Sequence, residues 1–140
     1  MKIKYHDILN KNMINVFKEI IKRIEKNGLS NEQLLYITFN TNDSNVSLPK
    51  WLKEKYPNEM TIVIQYEYYN LEVKENFFNI GLSFNNIKTK LKISFNSIVS
   101  FADPSANFGL ILKNNKNKNT KNEKIDYKNN IIEFSNFKKN

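Results

Sequence analysis

From residue 113 to residue 124 the chain reads Lys-Asn-Asn-Lys-Asn-Lys-Asn-Thr-Lys-Asn-Glu-Lys, without one apolar side chain. Nothing in that run can offset the entropy of ordering its backbone, about 1–2 kcal/mol per residue. A core must therefore come from residues 1–112, which is enough chain for one domain of ordinary size. The expected organisation is a folded domain over 1–112, a flexible Lys/Asn-rich linker over 113–130 and a short terminal motif over 131–140. As a flexible coil the linker would span about 23 Å root-mean-square. Apolar residues return beyond it at Ile131, Ile132, Phe134 and Phe137, directly before Lys138 and Lys139. An island of that size cannot build a core, so its apolar residues point to a binding segment.

The charge follows the same division. The whole chain has 22 Lys+Arg and 14 Asp+Glu, a formal +8. Residues 1–112 carry 14 basic and 11 acidic groups, net +3, and residues 113–140 carry 8 and 3, net +5. An anionic partner has to be considered, but the folded part is close to neutral. The chain has no cysteine, which removes disulfide scaffolds, Cys-ligated zinc, iron–sulfur clusters and thiol catalysis, and a reducing cytosol fits. One histidine, His6, leaves no two-histidine metal or catalytic site. No stretch approaches the roughly 20 apolar residues of a membrane span, and the N-terminal residues lack the apolar region of a signal peptide, so a soluble cytoplasmic protein is expected. Asparagine and lysine are over-used throughout, and single Asn and Lys residues are accordingly given little weight.

Within the body, Ile8, Leu9, Met13, Val16, Phe17, Ile20, Ile21 and Ile24 recur at three- and four-residue steps, which predicts a helix over about residues 5–26. Asn27-Gly28 supplies its stop. After it come short alternating runs at 35–39, 60–66, 78–84 and 91–95, each reading as a strand. Leu71-Glu72-Val73 reads as the first arm of a hairpin with 78–84, and Asn85-Asn86 as a turn. Pro49 opens a helical turn through Trp51-Leu52, which Pro57 closes. The expected class is α+β: an N-terminal helix, then a mostly antiparallel bent sheet or partly open barrel.

A search for chemistry finds no glycine-rich phosphate loop, no nucleophile elbow and no metal-binding helix motif. Glu54, Glu59 and Asp103 read as surface or turn carboxylates, so no catalytic residue, metal or cofactor is expected. Along 78–84, Phe78, Ile80, Leu82 and Phe84 share one face, and Asn79, Gly81 and Ser83 line the other. Small residues admit a close approach to the backbone, although a half-buried strand with a polar outer face would read the same way. The segment from Phe101 through Ala102, Asp103, Pro104 and Ser105 to Gly109 is apolar at its ends with a turn between.

Five segments together resemble a known family. Tyr36-Ile37-Thr38-Phe39, Val46-Ser47-Leu48-Pro49-Lys50-Trp51-Leu52, Tyr56-Pro57-Asn58-Glu59-Met60-Thr61-Ile62-Val63, Gly81-Leu82-Ser83-Phe84 and Phe101-Ala102-Asp103-Pro104-Ser105 are similar, in order, to the SspB adaptors of the ClpXP protease in their shorter alphaproteobacterial form. The likeness runs over about residues 3–112. The stretch from Ile131 to Lys139 resembles the hydrophobic-then-basic ending of that family. The resemblance implies an Sm-like strand arrangement and a non-enzymatic module that holds the ssrA tag of stalled-ribosome products and delivers it to ClpXP. It implies a tag groove from Gly81, Leu82, Ser83 and Phe84 together with Phe101, Ala102, Asp103, Pro104 and Ser105. It also implies a homodimer through a helix bearing Val16, Phe17, Ile20, Ile21 and Ile24, and ClpX docking through Ile131, Ile132, Phe134, Phe137, Lys138 and Lys139. Where the family usually has an aromatic-Asp pair, this chain has Tyr69-Asn70.

The alternative reading is an Sm-like RNA-binding protein with a basic tail, drawn from the +8 charge and seven tyrosines. It is weakened because most of the excess charge lies in 113–140, and no aromatic residue accompanies the lysines from 113 to 126. Neither a membrane nor a nucleic acid is therefore the expected partner.

Overall fold

The apolar spacing near the N-terminus forms helix α1, Tyr5–Asn27, in a computed structural model that describes residues 1–30 and 32–112. The linker expected over 113–130 and the motif expected over 131–140 lie outside the described residues. Gly28 ends α1 in the left-handed region at φ 76°, and its N–H donates to the Ile24 carbonyl at 2.7 Å. No helix among the described residues is long and apolar enough to cross a membrane.

The chain then runs through β1 (Leu35–Asn40), α2 (Lys50–Lys55), β2 (Glu59–Ile64), β3 (Tyr69–Val73), β4 (Phe77–Phe84), β5 (Ile87–Ser94), β6 (Ile98–Asp103) and β7 (Phe108–Ile111). The fold is α+β, as expected. The strands make two antiparallel sheets rather than one bent sheet, and these are not closed into a barrel: four strands in the order β2-β1-β6-β7, and three in the order β3-β4-β5. A 3-10 turn, Phe95–Ser97, carries the chain from one sheet to the other.

Two strands extend beyond the sequence reading. Residues 98–103 and 108–111 pair antiparallel as a hairpin, with Phe101 opposite Leu110 and Ala102 opposite Gly109. They escape an alternation test because four of the six β6 positions, including small Ser100 and Ala102, are buried on both faces. The hairpin turn is held by Asp103, whose Oδ1 accepts from the N–H groups of Ser105 at 3.1 Å and Ala106 at 3.3 Å, and from the Ser105 hydroxyl at 2.6 Å. Asparagine closes this and other turns. The non-glycine residues with positive φ among those described are Asn70, Asn85, Asn86 and Asn107, and asparagine tolerates that region better than other residues with a side chain. Asn85 and Asn86 form the two-residue loop between β4 and β5.

The core is held by α1 through one residue above all. The Phe17 ring lies 5.1 Å from that of Phe101 on β6, 6.1 Å from that of Phe78 on β4 and 6.1 Å from that of Phe95 in the connecting turn. Phe78 and Phe95 are themselves 5.6 Å apart. Met13, Phe17, Ile21 and Ile24 form the buried stripe of the helix. Glu25 adds a polar tie, its Oε2 accepting from the Val73 N–H of β3 at 3.1 Å. Emptying this junction removes contacts to both sheets at once. Phe17→Ala should cost about 3–5 kcal/mol, measured as a fall in the urea midpoint of the full chain. A loss below about 1 kcal/mol would show that the sheets hold together without the helix.

Candidate functional site

The two segments singled out in the sequence lie in different sheets. Gly81, Leu82, Ser83 and Phe84 form the second half of β4, while Phe101, Ala102 and Asp103 end β6 and Pro104 and Ser105 enter the hairpin turn. Beneath the surface, Phe17 touches the rings of both Phe78 and Phe101, so the two strands are fixed to each other through the helix.

The site residues divide by exposure. Gly81, Leu82, Phe101 and Ala102 are buried. Ser83 and Ser105 are exposed, and Phe84, Asp103 and Pro104 are half-buried. Phe84 meets the Trp51 ring of α2 edge-on at 6.5 Å and 77°, while Ile87, opposite Phe84 across the turn, is exposed. Asp103 also receives a hydrogen bond from the Gln33 amide at 3.3 Å, which anchors the loop before β1 to the hairpin.

Gly81 carries a close approach, as its type suggests, but the group that approaches comes from the same chain. Tyr69 on β3 is its cross-strand partner, and the phenol ring lies flat enough against the glycine that a Cβ would sit 2.5 Å from Cζ and 2.6 Å from Cδ2. An aromatic ring laid over a cross-strand glycine restores packing that the missing side chain would leave out. The sequence supplied Gly81 without its cover, because register between β3 and β4 shifts between Tyr69 and Glu72.

The helix residues divide in the same way. Phe17, Ile21 and Ile24 face the core of their own chain, whereas Val16 is exposed and Ile20 half-buried. Tyr5, Ile8 and Leu9 are exposed too. Tyr5, Leu9, Val16 and Ile20 follow one another at steps of four and seven residues and so form a second stripe beside the buried one.

Two features were passed over in the sequence. One is the period-two lysine row Lys88, Lys90 and Lys92 on β5, set aside with the general lysine excess. The other is the Trp51–Phe84 contact, which no local pattern announces. Elsewhere, a cleft of about 290 Å³ lies beside α1 and the 3-10 turn, lined by Asp7, Asn10, Lys11, Ile14, Asn15 and Asn96. The Asn10 Oδ1 is buried without a hydrogen-bond partner. Among the described residues no group of three or more His, Cys, Asp or Glu could hold a metal ion.

Compared with known families, the chain matches the model of SspB, stringent starvation protein B, over residues 8–136. The match covers the whole described body from β1 onward and continues as far as Asn136, through Ile131, Ile132 and Phe134. No curated protein matches the chain closely enough to count as a relative.

The Tyr69–Gly81 contact can be tested directly. Gly81→Ala forces the ring off the strand and should cost about 1–3 kcal/mol, read from the urea midpoint. Combined with Tyr69→Ala, the same substitution should cost far less, a coupling that a double-mutant cycle measures. Additive losses would show that the two residues are independent.

Proposed function

The chain belongs to the stringent starvation protein B family, a family of protease adaptors, and we propose that it delivers ssrA-tagged products of stalled ribosomes to ClpXP without catalysing any reaction itself. The observation that carries this reading is the continuity of the family match from the folded body into the segment beyond residue 124. An adaptor needs both parts: a surface that holds cargo and a separate element that engages the protease.

In this reading the cargo surface is built on β4 and the β6–β7 hairpin. Leu82, Phe101 and Ala102 set its shape from the core side, and Gly81, Ser83, Phe84, Asp103, Pro104 and Ser105 border it. Residues 131–139 dock on ClpX, with Ile132, Phe134 and Phe137 as apolar anchors and Lys138 and Lys139 as charge partners. Tethering a weak contact to the cargo domain raises its effective concentration toward millimolar. The proposed compartment is the cytoplasm.

The active form is a homodimer. The structure of α1 favours a specific version of it, in which Tyr5, Leu9, Val16 and Ile20 meet the partner helix while Phe17, Ile21 and Ile24 stay in the core. Two tails on one particle would then act together on the unfoldase.

Removal of residues 129–140 should leave binding of a tag peptide unchanged and abolish the stimulation of ClpXP. The readout is the initial degradation rate of a tagged fluorescent reporter at limiting substrate, and full stimulation by the truncated chain would show that the tail is not the docking element. Val16→Asp places an unpaired charge on the helix stripe, where burial against a partner costs several kcal/mol in order of magnitude. Sedimentation should show the wild-type chain as a dimer and the variant as a folded monomer at micromolar concentration. A monomeric wild type would contradict the helix interface.

A further inference from the structure

The solvent face of the three-stranded sheet carries a row of positive charge whose spacing is set by the strand. On β5, Lys88, Lys90 and Lys92 stand opposite Ser83, Gly81 and Asn79 of β4. Alternate residues of a strand share a face and lie about 6.6–6.8 Å apart, so the three ammonium groups start from backbone positions about 13 Å from end to end. None of them pairs with a carboxylate among the described residues. Glu72 lies across the sheet on β3, where its Oε1 accepts from the Asn79 amide at 3.4 Å. The face is therefore acidic only at its far margin and basic along β5.

Aromatic rings hold two of these lysines in place. Lys88 Nζ lies 5.3 Å from the centroid of the Tyr69 ring, the ring that covers Gly81, and Lys92 Nζ lies 4.5 Å from that of Phe77. Cation–π contacts position an ammonium group without neutralising it. Beside the row, Ser83 is small and exposed, while Gly81 lies buried under the Tyr69 ring. Ser47 pairs with β5 only at Lys92, through its N–H to the Lys92 carbonyl at 2.9 Å and the Lys92 N–H to its own carbonyl at 3.1 Å. The edge at Lys88 and Lys90 is left without that cover.

We propose that this face binds an acidic, extended peptide segment whose carboxylates, at alternate positions, meet Lys88, Lys90 and Lys92. An extended peptide repeats its side chains with the same two-residue period as β5, so the charges stay in step along the row. Single-stranded nucleic acid fits less well. It binds by stacking bases on open aromatic faces, and here the Tyr69 ring lies between Gly81 and Lys88 while the Phe77 ring carries Lys92. The inference deepens the adaptor reading by giving the chemistry of cargo that β4 and β5 select, and it rests on that reading.

The test uses the full chain and four fluorescein-labelled probes in anisotropy titrations at 50 mM salt, an oligouridine RNA and three peptides. One is an eight-residue peptide alternating Glu and Thr, one is its Gln-for-Glu counterpart, and one carries the organism's own ssrA ending. The expected result is that the Glu peptide binds at least tenfold more tightly than the Gln peptide and weakens steeply between 50 and 300 mM salt, as screened charges do. The triple variant Lys88→Gln, Lys90→Gln, Lys92→Gln should lose that preference while unfolding at the wild-type urea midpoint. Should the triple variant prove unstable, Lys90→Glu alone should weaken the Glu peptide more than Lys90→Gln does. Equal binding of Glu and Gln peptides, or preferential binding of a labelled oligouridine RNA, would overturn the proposal. A tag peptide bound equally by wild type and triple variant would overturn it while leaving the adaptor reading in place. A Glu peptide bound normally beside a tag peptide that does not bind would instead remove the adaptor reading and keep the basic face.

Discussion

Everything in this fold depends on one aromatic junction. Two antiparallel sheets that are not closed into a barrel have no hydrogen-bonded ladder to hold them to each other, so their relation must come from side chains. Phe17 supplies it by touching Phe78 of one sheet, Phe101 of the other and Phe95 in the turn between them. Because close-packed aromatic cores tolerate little displacement, the helix fixes the angle at which β4 and β6 face solvent. The same contact divides the helix. Committing residues 13, 17, 21 and 24 inward turns Tyr5, Ile8, Leu9 and Val16 outward, and so a single packing decision creates both the core and an exposed apolar stripe on the helix.

Long periodic segments were legible in the sequence because burial on one face leaves a regular trace. The helix over Tyr5–Asn27 and the strands β1, β2 and β4 each show it, as does the Asn85-Asn86 turn. Of the β6–β7 hairpin the turn was legible and the strands were not, since Ser100 and Ala102 are buried although small and polar or weakly apolar, which erases the alternation. The division of one expected sheet into two was also hidden. It depends on the 3-10 turn at Phe95–Ser97, where local sequence is compatible with continued strand.

The candidate site was legible as segments and not as a surface. Family likeness and small-residue spacing both pointed to Gly81 and Ser83, yet only the structure separates exposed Ser83 from Gly81, whose approach is already taken by Tyr69. Leu82, Phe101 and Ala102 belong to the core, so part of each motif reports packing and only the remaining residues meet solvent. The lysine row was obscured for a different reason. In a chain this rich in lysine the residue type carries little information, and it is the strand period that puts Lys88, Lys90 and Lys92 on one face, with aromatic rings beside Lys88 and Lys92.

In the proposed reading, cargo peptide engages β4, β5 and the β6–β7 turn, which lie in two sheets that meet at Phe17, and leaves the helix stripe free. The most direct measurement is hydrogen–deuterium exchange of the full chain with and without a peptide carrying the organism's own ssrA ending. Slower exchange confined to residues 79–92 and 101–106, with residues 5–20 unchanged, is the predicted result. Binding that leaves those segments unprotected, or protection concentrated on the helix, would contradict it.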